Sequence, residues 1–576
     1  MNSLYQIIKK TIVWILMVIA AAIMITLVAL GYRENMSYDL FSFNYISRTP
    51  DPLKVFFLSM LFVLMMVFLR VALTSKVSIL PYKKLVVSVA LLQIPTIIYG
   101  VFWVYKNPYV AMFDSRRLVQ LAEMVVNGGD NSAFFEYYDM MSQQRSSVFY
   151  FILITKLFPN NTYLIIRLIN VFWVFLSDIV LSLIAYEVSG KKESAILASL
   201  MLALFFPLIW YSNLAYGTIP SIPVVVTSLL ATIKYVEKQK IKDAVIILIC
   251  LPLALIIYKG TMIAHLAVII FLFLAFLNSS NTKYIFVALL ILFEMLIVAS
   301  IVNPIFIALT GMQVSKGVPT IAWIEMGLTA KYGTGGPGSY NFLINRYYEQ
   351  YGNNSDAIKA NVLMTLSTVV KNAVDNPADF LFFLREKTKW AWTDATFGAF
   401  KESLSQWTDY ERPNFLSDFR IMVASNITER MVSFLTVYML TTYFLSFVSC
   451  VKEIIEKTGN IKFDGKTLLR LYFVGGFTYQ LIGEQKSRYC LPYFLILIVV
   501  SSIEIASIQT KNCKMRNKGL MLLNISNIFD GVCLLVSSIS SIKVYLHKYL
   551  AHKSENEHHY SKDYKEHCKK RCHQII

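Results

Sequence analysis

Apolar runs long enough to cross a ~30 Å hydrocarbon layer recur along the chain from Thr11 to Ile508. The pattern predicts three N-terminal spans, Thr11–Gly31, Leu53–Leu73 and Leu85–Tyr105. Six follow at Tyr163–Val188, Ala195–Trp210, Ile219–Val236, Ala244–Tyr258, Thr261–Leu277 and Tyr284–Ile307. Three more, Arg430–Cys450, Leu468–Ile482 and Cys490–Ile508, bring the total to about twelve. Lysines mark alternate connections: Lys9 and Lys10, then Lys76, Lys83 and Lys84, then Lys191 and Lys192, then Lys238, Lys240 and Lys242, then Lys283. Basic residues favour the cytoplasmic side, so the N-terminus is expected inside and the two long polar segments outside. The expected organisation is N-terminal spans over 1–105, a first outer loop over 106–161 and a central bundle over 162–307. A large second outer loop follows over 308–428, then C-terminal spans over 429–510 and a cytoplasmic tail over 511–576. The fold class expected is an all-α polytopic membrane protein with interfacial helices in both outer loops.

Between spans the period changes. From Asp114, positions Leu118, Leu121 and Val125 fall on one helical stripe, and Arg116, Gln120, Glu123 and Asn127 on the opposite one. This predicts an amphipathic surface helix stopped by Gly128–Gly129, with Asp114 on its apolar side. Ser147–Phe158 is apolar but too short to span. Ser355–Val374 is helical in pattern, and Trp390, Trp392 and Trp407 read as interfacial anchors. Gly519–Leu546 is only partly apolar and is read as an interfacial helix; the tail from His547 is polar.

Composition agrees with this picture. The chain is 56% hydrophobic and 16% charged, against about a quarter charged in soluble domains. Its net charge of +18 sits in short loops and the tail, where it reports orientation and not nucleic-acid binding. Seven scattered cysteines form no disulfide framework. Thr11–Gly31 is longer than a signal-peptide core and lacks a small-residue cleavage site, so it is read as a retained span.

Three places can carry chemistry. Asp114, at a partly dry interface, can take a proton from an incoming hydroxyl; the plainer reading is an acid favoured by the helix dipole. In the tight turn LIGEQKSRYCLPYF (Leu481–Phe494), Lys486 and Arg488 suit a phosphate, with Glu484 and Tyr489 beside them; the plainer reading is a charge-paired hairpin. Lys259, in ALIIYKGTMIAH, needs an anion or water, and either a lipid phosphate or snorkelling would supply it. His265 is the lone histidine before the tail, which disfavours a Ser-His-Asp centre or a histidine-ligated metal in the membrane body. Asp178, Glu187 and Glu294 lie in apolar spans and are read as packing or interface residues, as are Arg167 and Asn170. GTGGPG (Gly333–Gly338) lacks the Lys-Ser/Thr of a P-loop and reads as a turn. HCKKRCH (His567–His573) matches no established zinc spacing.

Four stretches in order, FDSRRLVQLAEMVVNGG, IIRLINVFW, NPADFLFFLREKTKWAWTDATFGAF and GEQKSRYCLPYF, give the chain a family likeness. It resembles the GT-C superfamily of integral-membrane glycosyltransferases, in particular bacterial relatives of dolichyl-phosphate-mannose protein mannosyltransferases. The resemblance covers most of residues 80–510. It implies a polyprenyl-phosphate-linked sugar as donor, a glycan, lipid or protein acceptor, and a site at the outer face of the cell membrane. It implies Asp114 as the catalytic base, with Lys486 and Arg488 on the donor phosphate; Lys259, from its own position, is expected to join them there. Arg117, Glu484 and Tyr489 are the supporting residues. A phosphate held by cations already leaves well, so the scheme calls for neither metal nor cofactor. Two departures stand out: Ser115 follows Asp114 where many members have a second acid, and SQQRSS (Ser142–Ser147) lacks the His or Pro common there. The rival expectations are an envelope polysaccharide polymerase and a polyprenyl-linked glycan flippase or transporter. The first would favour arginine-rich outer loops, the second repeated halves and polar groups at mid-membrane.

Overall fold

A computed structural model describes residues 2–39, 44–106, 113–331, 333, 335–404, 426–456 and 463–508. The chain divides into two units, Met1–Ser507 and Ile508–Ile576. Everything below concerns the first; Gly519–Leu546, the tail, its HCKKRCH stretch and Trp407 lie outside the described residues.

The first unit is built of helices. They are α1 (Asn2–Arg33), α2 (Pro52–Val77), α3 (Tyr82–Leu92), α4 (Ile94–Lys106), α5 (Phe113–Asn127), α6 (Phe135–Met140), α7 (Arg145–Leu157) and α8 (Thr162–Ser189). Next come α9 (Lys192–Ala203), α10 (Phe206–Trp210), α11 (Thr218–Lys238), α12 (Ile241–Ile257), α13 (Met262–Ser279) and α14 (Lys283–Thr310). The second long loop carries α15 (Ile321–Thr329), α16 (Leu343–Tyr351), α17 (Ser355–Asp375), α18 (Pro377–Trp392) and α19 (Ala399–Leu404). The chain then forms α20 (Asn426–Glu456), α21 (Gly465–Ile482) and α22 (Ser487–Ser507). A hairpin of β1 (Asn35–Asp39) and β2 (Asn44–Arg48), with Asn35 opposite Arg48, sits where only a polar loop is expected from the sequence.

Nine helices among the described residues are long and apolar enough to cross a membrane, or ten if the bent pair Lys192–Ala203 and Phe206–Asn213 counts as one span. The chain is therefore an all-α polytopic membrane protein. The two remaining segments of the expected twelve are also helical. However, α12 is 17 residues long and α21 carries Lys466 and Arg470, so neither meets that length and apolarity.

Burial separates centre from rim. In α22, 89% of the most apolar window is buried, against 17% in α2 and 22% in α14. The last span is therefore the hub, touching α8, α9, α20 and α21. Asp464 caps α21, accepting from the Lys466 backbone amide at 3.0 Å, and Glu453 pairs with Lys466 at 2.8 Å and Arg470 at 3.0 Å.

Buried polar groups join the two long loops. Arg145, fully buried, donates to the carbonyls of Tyr138 (2.8 Å), Asp139 (3.1 Å) and Ser315 (2.8 Å) and to Asn303 Oδ1 (2.8 Å). Asp139 accepts from the Ser315 amide and from the Tyr348 hydroxyl at 2.8 Å. A guanidinium with four acceptors and a buried carboxylate with two donors are each satisfied, which is what makes their burial tolerable. The first loop is thereby held against the second.

Candidate functional site

The predicted surface helix forms as α5, one residue from each expected boundary. Leu118 and Leu121 are buried, and the helix packs on α7. Asp114 is half-buried in its first turn, on that same side, while Arg116 and Arg117 are exposed. The Tyr137 hydroxyl donates to Asp114 Oδ1 at 2.7 Å. The Arg117 guanidinium lies 4.3 Å over the Tyr137 ring, and the Tyr138 hydroxyl donates to the Arg117 carbonyl at 3.3 Å. Burial first, and then the Asp114 charge, pushes both tyrosine hydroxyls well above their ordinary range. They stay protonated, so Tyr137 remains a donor and fixes one carboxylate oxygen. For the sugar transfer proposed below, replacing Tyr137 with Phe is expected to lower turnover about tenfold with little change in donor KM. An unchanged turnover would show that Asp114 needs no such positioning.

The basic turn caps the hub helix. Arg488 and Ser487 lie in the first turn of α22, and the Tyr489 amide donates to the Lys486 carbonyl at 3.0 Å. Arg488 pairs with Glu402 of α19 at 2.9 Å, and its guanidinium lies 4.5 Å over the Tyr216 ring and 5.4 Å from that of Tyr489. Lys486 lies 3.4 Å from Glu484 and 5.8 Å from the Tyr489 ring. Burial lowers the Lys486 ammonium, but Glu484, with Glu402 and Asp114, outweighs it and holds the group above its usual value. Gln485 Oε1, Ser487 Oγ and Arg488 Nε are buried without a hydrogen-bond partner, so the turn keeps spare hydrogen-bonding capacity.

Two tyrosines connect the acid to the cations. Burial raises the Tyr216 hydroxyl, Asp114 raises it further, and Arg488 and Lys486 oppose. Burial, Asp114 and Glu484 push the Tyr340 hydroxyl up to about 12, against Lys486 and Arg117. Asp114, Lys486, Arg117 and Glu484 therefore all act on Tyr340, and Asp114, Lys486 and Arg488 on Tyr216. Gln144 Nε2 donates to the Tyr216 hydroxyl at 2.7 Å. Lys259 is exposed, and no hydrogen bond or ion pair of its ammonium is formed among the described residues; it directly follows Tyr258, whose ring lies 5.9 Å from that of Tyr216. His265 is buried, with Nδ1 3.2 Å from the Thr261 carbonyl, as expected for a packed imidazole.

The turn is braced by the second loop, which the sequence pattern does not reveal. Lys387 of α18 is fully buried and donates to the carbonyls of Gly327 (2.5 Å) and Gly483 (2.6 Å). A side chain at Gly327 would meet the Gly483 oxygen at 2.1 Å, so only glycine allows this approach. Gly338, at φ +77°, lies over the Lys387 stem, and its carbonyl accepts from the Gln485 amide at 2.8 Å. Gly335–Gly338 of the GTGGPG stretch thus turn, as the sequence predicts, and Gly338 packs on the basic turn. The sequence signal for Lys387 is its position three residues after Leu384 and four before Ala391, on the helix face that Ala391 buries.

Burial, opposed by Glu484, pushes the Lys387 amine down to about 7. Unfolded, this lysine keeps its proton up to its ordinary value of 10.5. Between those values the unfolded chain binds more protons, so stability rises with pH through this window and has been lost by the time pH falls to about 7. The melting temperature of the detergent-solubilised protein should climb between about pH 7 and pH 10.5. Lys387→Met should flatten that climb; an unaltered slope would remove Lys387 as its source.

Among the described residues no group of His, Cys, Asp and Glu is arranged to hold a metal ion. Glu187 pairs with Lys238, Arg167 Nη1 donates to the Val104 carbonyl at 3.3 Å, and Asn170 donates to the carbonyls of Ser212 and Leu214, all packing roles. The sequence matches no family model and no curated protein.

Proposed function

We propose that the chain is a membrane glycosyltransferase that moves a sugar from a polyprenyl-phosphate donor to an envelope acceptor by single displacement. In this reading the chain crosses the cell membrane twelve times, with its N-terminus in the cytoplasm and its site at the outer face. The carrying observation is that the Arg488 guanidinium lies 4.5 Å over the Tyr216 ring, and that Asp114 from the first loop and Lys486 from the same late turn lie near enough for their charges to bear on that hydroxyl. An acid and two cations gathered about one tyrosine suit a sugar phosphate, with the base at the acceptor end and the cations at the phosphate.

The acceptor hydroxyl gives its proton to Asp114 as its oxygen bonds to the anomeric carbon. The bond from that carbon to the phosphate oxygen breaks, and its electron pair leaves on the lipid phosphate. Lys486, Arg488 and the N-terminal amides of α22 meet the charge that gathers there. One inversion needs one base, not the two carboxylates of a glycosidase. The resemblance to GT-C enzymes supports the same roles. Radiolabelled sugar transfer from polyprenyl-phosphate donors in proteoliposomes tests the proposal; failure across a donor panel with folded protein would sink it.

A second reading, transport, rests on one observation. The span made by α9 and α10 is bent by 57° at a break beside the buried Asp178, and broken helices with mid-membrane acids are features of transporters. The transferase is favoured because the turn beside Tyr216 brings two cations together and keeps free hydrogen-bonding groups at Gln485, Ser487 and Arg488.

A further inference from the structure

Asp178 lies near the middle of α8, 1% exposed, and neither carboxyl oxygen has a hydrogen-bond partner. It lines a cavity of about 280 Å³ between α4, α8 and the break from α9 to α10. Pro95 is the exposed residue of the lining, so the cavity opens sideways toward the surrounding lipid. The sequence alone leaves Asp178 as a packing residue; a packed acid would be paired, and this one faces open volume.

The break makes the cavity. Pro207, just inside α10, has no N–H to return to the carbonyl of Ala203 four residues back. Gln93, at the break between α3 and α4, donates instead to the Ser199 carbonyl and hydroxyl at 2.7 and 2.9 Å, fixing α4 against α9. The rest of the lining is mainly apolar, aliphatic side chains such as Val174, Leu202 and Ile209 with the aromatic Tyr99, Phe205 and Phe206 among them, the rings of Tyr99 and Phe206 lying 6.0 Å apart. The Tyr99 hydroxyl accepts from Trp210 Nε1 at 2.8 Å.

These groups share one preference. A carboxylate and a backbone carbonyl accept hydrogen bonds, and aromatic faces attract cations. An isolated carboxylate in hydrocarbon must be neutralised by a proton or a cation. An anion such as a lipid phosphate would meet no cationic side chain in this lining. We infer that this cavity binds a small, membrane-partitioned organic amine, its ammonium on Asp178 and its apolar body among Tyr99, Phe205 and Phe206. The volume, at the lower end of ligand pockets of roughly 300 Å³ and above, admits one aryl-alkyl amine and not a long lipid. The inference does not depend on the transferase reading, since it uses neither Asp114 nor the basic turn.

The test uses the full chain in phosphatidylcholine nanodiscs, titrated with phenylbutylamine and with phenylbutanol as the uncharged match. Wild type should bind the amine saturably and at least about tenfold more tightly than the alcohol. Asp178→Asn should lose that preference. Ala203→Phe, which fills the cavity and leaves the acid in place, should block both ligands. No saturable binding by wild type, equal affinity for amine and alcohol, or undiminished amine binding by Asp178→Asn would each overturn the inference. Should Asp178→Asn fail to fold, the amine–alcohol comparison and Ala203→Phe still decide.

Discussion

Replacing Asp114 with Asn is expected to lower sugar transfer by about a thousandfold while membrane insertion and melting temperature stay near wild type. The magnitude follows from the chemistry. A positioned general base contributes roughly 10² to 10⁴ in rate, and an amide cannot take the acceptor's proton. The amide still accepts from the Tyr137 hydroxyl, so the local structure has no reason to fail. Donor KM should change little, because the base acts on the acceptor. Asp114→Glu, which keeps the carboxylate but moves it by a methylene, should recover part of the rate. Turnover in Asp114→Asn within a few-fold of wild type would remove Asp114 as the base.

The second large effect is at Arg488. It is 4% exposed and pairs with Glu402 at 2.9 Å. Truncating it alone would leave the half-buried Glu402 without this partner, at a cost below the roughly 3–5 kcal/mol of a fully buried pair. The informative variant is therefore Arg488→Ala combined with Glu402→Ala. Its melting temperature should lie closer to wild type than that of Arg488→Ala alone. Its donor KM should rise about a hundredfold, near 2.7 kcal/mol of lost phosphate binding. Arg488→Lys should fall between, because an ammonium cannot reproduce the planar two-pronged contact. Glu402→Ala alone should tighten donor binding, since an internal carboxylate then no longer competes for the guanidinium. A normal donor KM in the double variant would put the phosphate elsewhere.

What could be read from the chain alone follows the range of the interactions. The α5 helix was legible because Leu118 and Leu121 repeat within one element and Gly128–Gly129 end it. The spans were legible for the same local reason. The break between α9 and α10 carried a local signal, Pro207, that a hydropathy window averages away. The hairpin of β1 and β2 was not legible: NMSYD and NYISR alternate poorly, and neither is rich in β-branched residues. The partnerships that define the candidate site were beyond sequence reach. Arg488 meets Glu402 across 86 residues, and Lys387 meets Gly483 across 96. A single sequence carries no mark of such pairs. Asp114, Lys486 and Arg488 could be named because acids and cations at span ends are few; Tyr137, Tyr216 and Tyr340 could not, because tyrosine is common throughout this chain.

The most direct measurement is ³¹P NMR of a polyprenyl monophosphate titrated into the full chain in nanodiscs. This ligand is the leaving group of every candidate donor, so the sugar need not be known. A bound phosphate resonance that saturates in wild type, weakens with Arg488→Lys and disappears in the Arg488→Ala, Glu402→Ala variant is the result predicted. No saturable resonance, or one unchanged in that double variant, would contradict it.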